Sequence, residues 1–271
     1  FIGDEAGLAD SLAALAGAFP GQLSRAHAQT MQPERPVCPE ARTLLQQHWG
    51  YPDFLPLDVY DLDALHRGEK KLRTITQEDI IDDLIQQAEL CRAGQTYRDL
   101  FVTASTGAGK SVMFQIPAID LAEKYGMVTL VISPLISLMQ DQVKGLNAAG
   151  IHAAFINSSL TETQIARALD LAAEGSYKLV YVAPERLESP VFRSFAAGAD
   201  ISMVTVDEAH CISQWGQDFR PSYLKILDFI DSLPRRPIVS AFTATATREV
   251  KDDIVCTLRL HDPKVLVTGF G

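Results

Sequence analysis

The 271-residue sequence predicts an α/β protein in which a central, mainly parallel sheet is covered by helices on both faces. Short runs of aliphatic and β-branched residues alternate with stretches of helical periodicity, and these runs are apolar on both faces. A composition of 47% hydrophobic and 21% charged residues excludes wholesale disorder, collagen and coiled coil. Ligands of such sheets bind beyond the carboxyl ends of the strands, so the loops after the strands are the first candidates for function.

The first clear element is a helix that begins after Thr76. Thr76 and Asp79 form a capping box, and Gly94 suits the end of the helix. Between them, Ile80 and Leu84 lie at helical spacing. The strands predicted after this helix are 100–103, 127–132, 153–156, 179–182, 201–206, 238–242 and 265–267. The helices predicted between them lie near 111–124, 136–149, 162–173, 223–233 and 249–258.

The length suits one large domain with an extension. Residues 1–73 are rich in prolines and show little periodicity, so they are predicted to form an N-terminal extension of unknown role. Residues 74–271 are predicted to form a single domain.

Four cysteines, at positions 38, 91, 211 and 256, limit the chemistry that the chain can support. No two lie close together, so neither a zinc site nor a disulfide framework is expected, and core residues in a reducing cytoplasm explain them better. No secretory signal opens the chain. The longest apolar run, 127–139, contains a proline and is too short to cross a bilayer, so no membrane partner is expected.

The formal net charge of −10 argues against binding to nucleic acid through bulk charge. The acidic excess is uneven, however. Residues 1–100 contain 16 acidic and 9 basic side chains, which leaves 18 and 15 for residues 101–271. The part that carries the predicted strands is therefore nearly balanced, and a local track of hydroxyls, amides and a few arginines could still bind a polyanion.

The loop after the first of these strands has the composition of a phosphate-binding loop. Residues 104–111 read Ala-Ser-Thr-Gly-Ala-Gly-Lys-Ser, with alanine in place of the usual first glycine. Gly107 and Gly109 let backbone N–H groups close around phosphate oxygens at a helix N-terminus. Lys110 would reach the β- and γ-phosphates of ATP, and the hydroxyl of Ser111 would ligate Mg²⁺. A glycine-rich turn with a chance Lys-Ser pair is the alternative. The predicted ATP-binding residues here are Thr106, Gly107, Ala108, Gly109, Lys110 and Ser111.

Two carboxylates, Asp207 and Glu208, follow the predicted strand 201–206. An acid at the end of a buried strand is costly unless a cation meets it, and Mg²⁺ held by Ser111 would do so. Asp207 would orient the metal ion and Glu208 would polarise the water that attacks the γ-phosphate. The alternative is a carboxylate pair that caps a helix. His210, two residues on, could equally be a packed loop histidine.

The following loop, residues 211–223, contains three aromatic residues where the chain average of 8% predicts about one. Trp215 and Phe219 lie close to Arg220 in the sequence. Aromatic rings beside an arginine suit stacking on bases and contact with the backbone of single-stranded DNA. A hydrophobic plug is the alternative explanation.

Taken together, these motifs resemble the first RecA-like motor lobe of superfamily 2 helicases, and specifically the RecQ family of DNA helicases. The resemblance covers about residues 76–271. The matching segments are the phosphate loop with Phe-Gln-Ile-Pro-Ala at 114–118, residues 133–143, 183–187 and 242–247, and Asp-Glu-Ala-His with the aromatic loop that directly follows it. It implies a RecA-like three-layer α/β/α sandwich and an ATP-dependent DNA helicase. Such an enzyme hydrolyses ATP with Mg²⁺, moves 3′ to 5′ on single-stranded DNA and unwinds duplex or branched DNA.

The resemblance also implies roles for individual residues. A DNA track would include Ser133, Pro134 and Ser137, with Asn157 and Arg186 as weaker candidates. Trp215, Phe219 and Arg220 would couple DNA binding to hydrolysis, and His210 would join the catalytic group. Thr243 and Thr245 would link the nucleotide state to lobe movement, or would cap the next helix together with Thr247. Gln77 would read adenine, although the Phe-Arg-Pro that precedes this glutamine in the family is missing before it.

The family's arginine finger lies on a second RecA-like lobe. Because the chain begins with Phe and ends near residue 271, we expect that lobe in a longer native chain and little activity from this one alone. Such a protein would act in DNA repair or recombination near the bacterial nucleoid. The alternative is a P-loop ATPase switch or translocase module of a repair or defence assembly that does not unwind DNA. A small-molecule kinase is more distant, since it would not need the aromatic loop.

Overall fold

The computed structural model describes residues 39–60, 71–214, 218–244 and 247–268. The strands are β1 (Pro56–Tyr60), β2 (Leu72–Thr76), β3 (Leu100–Thr103), β4 (Val128–Ile132), β5 (Ala153–Ile156), β6 (Leu179–Val182), β7 (Ile201–Val206), β8 (Ile238–Thr243) and β9 (Lys264–Val267). The helices are α1 (Pro39–Trp49), α2 (Gln77–Arg92), α3 (Lys110–Tyr125), α4 (Ile136–Ala148), α5 (Glu162–Ala173), α6 (Pro190–Gly198), α7 (Lys225–Asp231) and α8 (Arg248–Thr257). Short 3₁₀ turns cover Pro184–Arg186, Ala209–Ile212 and Pro221–Leu224.

The described strands β3 to β9 form one sheet in the order β5-β6-β4-β7-β8-β3-β9, and all neighbours in it are parallel. The predicted sheet is therefore confirmed. β1 and β2 form a separate antiparallel pair. Because β3, β8 and β7 are consecutive in this order, the loops that leave their carboxyl ends open at the same edge of the sheet.

Two layers of helices bury the two faces of the sheet, which confirms the predicted three-layer arrangement. In β6, Leu179 and Tyr181 pack on the face covered by α1 to α4, whereas Val180 and Val182 pack on the face covered by α5 to α8. This alternation follows from the two-residue period of a strand, and both faces are apolar because both are buried. Among the described helices, none combines the length and the apolar character that a membrane-spanning segment requires.

Local signals account for the ends of several helices. Thr76 accepts a hydrogen bond from the N–H of Asp79, whose carboxylate accepts from Thr76 N–H, so the predicted capping box is confirmed. Thr247 caps α8 by accepting from Val250 N–H, as the capping alternative for this threonine predicted. Of the cysteines in the described ranges, Cys91 and Cys211 are buried, but Cys256 is exposed and is not the core residue that was expected.

The part of residues 1–73 that the structure describes belongs to the core. Leu44 and Leu45 on α1 are buried with Phe54 in the cluster that covers one face of the sheet. The predicted boundary between residues 73 and 74 falls inside β2, which pairs with β1. The hairpin and α6 were not predicted. The hairpin lies in a segment with little periodicity, and α6 has only nine residues, which gives a short apolar repeat.

Candidate active site

The phosphate-type loop connects β3 to α3. Gly107 and Gly109 adopt φ angles of 91° and 68°, in the left-handed region that favours glycine. The N–H of Ala104 donates to the carbonyl of Thr243 at 3.0 Å, so the loop is anchored to the end of β8. Lys110 Nζ donates to the Ala104 carbonyl at 3.0 Å, which holds the ammonium group over the loop. A glycine-containing loop at a helix N-terminus, with an ammonium group beside it, is suited to bind an anion.

Gln77 lies directly against this loop. Its side chain is buried, its Nε2 donates to the Ala108 carbonyl at 2.8 Å, and its Oε1 accepts from Leu55 N–H at 3.0 Å. A Cβ placed on Gly109 would overlap Gln77 Nε2 and displace this amide, and the backbone angle of Gly109 also favours glycine. Gln77 therefore ties the phosphate-type loop to residue 55.

This contact changes one expectation from the sequence. The Phe-Arg-Pro of the family does not precede Gln77 in the sequence, but Phe54-Leu55-Pro56 adjoins this glutamine in the structure. The β1–β2 hairpin separates the two pieces in sequence and brings them together in space, since Gln77 N–H donates to the Leu55 carbonyl at 3.0 Å. The only sequence signal for this contact is Phe-Leu-Pro at 54–56, which lies within the predicted N-terminal extension.

Asp207 and Glu208 follow β7 in the middle of the sheet. Asp207 N–H donates to Ile132 at 2.8 Å, which continues the ladder with β4, and its carboxylate accepts from Glu208 N–H at 3.0 Å. Burial raises the pKa of Asp207 to about 6, and the charge of Glu208 adds to this effect. Glu208 itself has a φ of 48°, a strained angle for a residue with a side chain that typically costs about 1 kcal/mol or more. Strain and a displaced pKa on adjacent acids are typical of functional sites.

His210 joins this group to the end of β8. Its Nδ1 lies 2.9 Å from Thr243 Oγ1 and 3.3 Å from a carboxylate oxygen of Glu208. The structure thus brings Glu208, His210 and Thr243 into one contact set, next to the strand that anchors the phosphate-type loop. Trp215 and Thr245 lie outside the described residues.

The oxygen groups at this edge fit Mg²⁺. Within the described ranges no cluster of three or more His, Cys, Asp or Glu side chains forms an all-protein metal cage. Mg²⁺ does not need one, because it usually binds one or two protein oxygens together with phosphates and water. Asp207 is a buried acid whose pKa is raised first by burial and then by the charge of Glu208, and Ser111 offers a hydroxyl on the first turn of α3. These two residues would hold the ion.

A second set of polar groups follows β4, β6 and β5, which are neighbours in the sheet. Ser133 Oγ and Asn157 Nδ2 are buried, and neither finds a hydrogen-bond partner in the part of the chain that the structure describes. Between them lies the 3₁₀ turn with Arg186, whose side chain pairs with Glu162 at 3.1 Å. Unpartnered buried donors are costly, so these positions point to a ligand.

The N-terminal end of α4 and the aromatic loop adjoin this set. Leu135 precedes α4 without a side-chain cap, and Ser137 is exposed on the first turn. Arg220 Nη1 donates to the Pro134 carbonyl at 3.1 Å, while Phe219 is half-buried. The predicted track and the described part of the predicted coupling loop are therefore in direct contact.

One further contact was missed by the sequence analysis. Gln142 on α4 donates from Nε2 to Ser111 Oγ at 3.0 Å, although the two residues are 31 positions apart. A single amide on a helix carries no local sequence signal for such a contact.

Comparison with known proteins places these features in a family. Residues 77–253 match the DEAD/DEAH box helicase family. The chain is 50% identical over 166 residues to the ATP-dependent DNA helicase RecQ of Bacillus subtilis (strain 168). The aligned region covers 61% of this chain and 27% of that protein. It is 40% identical over 218 residues to the protein of the same name from Pasteurella multocida (strain Pm70), with coverage of 80% and 32%. The chain thus spans about a quarter to a third of the length of these relatives.

Two solved structures share the fold at low sequence identity. The Pyrococcus furiosus Hef helicase domain has a TM-score of 0.53 and 17% identity, over 70% of this chain and 37% of that one. A hypothetical ATP-dependent RNA helicase from Sulfolobus tokodaii has a TM-score of 0.55 and 17% identity, over 84% and 57%. The match over 77–253 contains the phosphate-type loop, both acids and the buried track, and it shows that this chain belongs to the DEAD/DEAH box helicase family.

Proposed function

We propose that this chain is the ATP-binding motor lobe of a RecQ-like, ATP-dependent DNA helicase. The observation that carries the proposal is the meeting of three loops at one edge of the sheet, after β3, β7 and β8, which brings a phosphate-type loop beside two acids and a His–Thr contact. The identities of 40–50% to proteins named as RecQ helicases support the same assignment.

The residues divide the work of hydrolysis. The N–H groups of the phosphate loop and Lys110 bind the β- and γ-phosphates of ATP, and Gln77 lies where it can contact the adenine end. Mg²⁺, held by Ser111 and Asp207, would neutralise charge on these phosphates. Glu208 polarises the attacking water, and His210 holds Glu208 and Thr243 in register, so that the end of β8 moves with the catalytic acid.

Single-stranded DNA is the proposed substrate of the second set of groups. The Ser133 hydroxyl and the Asn157 amide would donate to phosphate oxygens, together with the N–H groups of the first turn of α4. Through Arg220 the aromatic loop touches the same track. A second RecA-like lobe, which would supply the arginine finger and the other half of the cleft, is part of this proposal.

Two binding experiments test the proposed nucleotide site and the proposed DNA track. The chain should bind a fluorescent ATP analogue with Mg²⁺, and Lys110→Ala should weaken this binding by at least tenfold, since it removes a charged phosphate contact. The control Lys144→Ala changes an exposed lysine on α4 and should have no effect. Retained nucleotide binding in Lys110→Ala would refute the site.

The test of the DNA track measures the binding of a labelled single-stranded oligonucleotide by fluorescence anisotropy. Ser133→Ala and Asn157→Ala should each lower affinity about three- to tenfold, as expected for the loss of one hydrogen bond to a charged group. Ser194→Ala on α6, on the other helical layer, is the matched control. Equal DNA affinity in all four proteins would reject the track. Nucleotide and DNA binding without strand separation by the full-length protein would favour a switch or translocase instead.

A further inference from the structure

A row of side-chain amides runs from the phosphate-type loop into the core. Gln142 Nε2 on α4 donates to Ser111 Oγ at 3.0 Å, and Gln142 Oε1 lies 3.5 Å from Gln115 Nε2 on α3. Gln115 Nε2 also donates to the hydroxyl of Tyr181 on β6 at 2.8 Å. Gln115 and Tyr181 are buried. Gln142 on α4, Gln115 on α3 and Tyr181 on β6 thus form a chain of contacts that begins at the Ser111 hydroxyl, which is predicted to ligate Mg²⁺.

The inner end of this row lies in the field of the other predicted ligand of the metal ion. Burial raises the pKa of Tyr181, and the charge of Asp207 raises it further, so the hydroxyl stays protonated and neutral. The row therefore contacts Ser111 at one end and ends at the buried, neutral hydroxyl of Tyr181 at the other. Buried polar side chains of this kind orient the groups they bond to, because breaking one bond leaves another group unsatisfied.

The outer end of the row belongs to the helix of the proposed DNA track. Gln142 lies six residues after Ile136, the first residue of α4, which is about 9 Å along the helix axis, and Ser133 and Pro134 lie just before this helix. Met139, Val143 and Leu146 fix α4 to the core, but a cavity of about 300 Å³ lies beside Gln142. Its lining includes Ser111, Gln115 and Gln142. The Gln142 side chain has room to leave Ser111 without displacing packed atoms.

We propose that Gln142 is a positioning residue that fixes the Ser111 hydroxyl and couples α4, and any DNA bound at its N-terminal end, to the metal–nucleotide site. The inference rests on the proposed function. By donating to Ser111 Oγ, the Gln142 amide occupies one lone pair and leaves the other in a defined direction for the ion. A shift of α4 on DNA binding moves the amide, and the cavity lets this contact be made or lost without other rearrangement.

The test measures binding rather than turnover. In the 271-residue chain, Gln142→Leu should lower the affinity for a fluorescent ADP analogue about tenfold when Mg²⁺ is present, as expected for removal of an outer-shell partner of a metal ligand. In EDTA the affinity should stay within about twofold, since the amide acts only through the metal ligand. The factor by which single-stranded DNA changes nucleotide affinity should fall towards one. Gln142→Met, which keeps the length of the side chain and removes the amide without adding a charge, should behave in the same way.

Two comparisons separate positioning from a general loss of structure. Gln86→Leu makes the same chemical change at an exposed position of α2 and should alter none of these affinities. In a Ser111→Ala background, Gln142→Leu should have no further effect on Mg²⁺-dependent binding. Tyr181→Phe should reproduce part of the loss through the far end of the row.

The outcomes distinguish this inference from the proposed function. If the unaltered chain binds both Mg²⁺–nucleotide and single-stranded DNA, but Gln142→Leu and Gln142→Met match Gln86→Leu, the positioning role is overturned and the function stands. An effect of Gln142→Leu that persists undiminished in Ser111→Ala would also overturn it. If the unaltered chain binds neither ligand, the proposed function fails and takes this inference with it.

Discussion

Replacing Asp207 by asparagine should stabilise the metal-free chain, and the gain should depend on pH. The carboxylate is buried at the end of β7, and the hydrogen bond it accepts from Glu208 N–H could equally be accepted by an asparagine oxygen. The substitution therefore removes the ability to ionise while it keeps size and the main contact. A group kept for ligand binding is expected to carry such a stability cost.

The magnitude follows from the pKa. Burial first, and the charge of Glu208 second, raise the pKa of Asp207 from 3.8 to about 6. One pKa unit corresponds to about 1.4 kcal/mol, so ionising this acid costs roughly 3 kcal/mol more in the folded chain than in the unfolded chain. Below pH 4 both states hold the proton and the cost is absent. Between about pH 4 and 6 only the folded state keeps the proton, so stability falls as the pH rises, and above pH 6 the full cost applies.

The assay is urea unfolding in EDTA at intervals between pH 4 and pH 7.5. The free energy of unfolding of Asp207→Asn, relative to the unaltered chain, should increase by about 2 kcal/mol across this range. Asp170→Asn, at an exposed position on α5, should change by less than about 0.5 kcal/mol. A difference for Asp207→Asn that is flat with pH, or that decreases as the pH rises, would refute the claim that this acid is buried without adequate charge compensation.

Three further substitutions test the framework around the site. Asp99→Ala should lower the free energy of unfolding, measured in urea, by about 3–5 kcal/mol, because Asp99 is buried, pairs with Arg236 and accepts two backbone N–H bonds. The control Asp200→Ala removes an exposed ion pair and should cost under about 1 kcal/mol. Gly145→Ala should raise the melting temperature, since the added Cβ meets nothing within 4 Å and alanine favours a helix by about 1 kcal/mol. Gly109→Ala should instead lower the melting temperature and weaken nucleotide binding, because its Cβ would displace Gln77; unchanged binding would contradict the contact.

The strands were predictable because their signal is local. A buried parallel strand is a short continuous apolar run, and the run predicted at 100–103 has the same bounds as β3. The run predicted at 127–132 differs from β4 only at its first residue. The helix predicted at 223–233 proved to be a 3₁₀ turn followed by the shorter α7, because Pro221 at the start of the turn favours a tight first turn that periodicity alone does not reveal.

The site was predictable where its residues are neighbours in sequence and was not where they meet through the fold. The loop of residues 104–111 and the acid pair at Asp207 and Glu208 are continuous motifs, so their chemistry could be named before the structure. The Leu55–Gln77 contact spans 22 positions and depends on the β1–β2 hairpin, and the Gln142–Ser111 contact joins two helices. No period or spacing encodes such pairs.

The proposed DNA track also gives the acidic composition a physical meaning. Of the two arginines predicted for it, Arg186 pairs with Glu162, whereas Arg220 donates to a neutral carbonyl, that of Pro134, and still contributes a positive charge. Within the described residues, the donors that are buried without partners, the Ser133 hydroxyl and the Asn157 amide, are neutral. A polyanion held by neutral donors releases few counterions, so such binding depends weakly on salt and each contact is modest in energy. A motor that must release and regain its substrate at every step is better served by such contacts than by a basic face, and a net charge of −10 is then compatible with a protein that works on DNA.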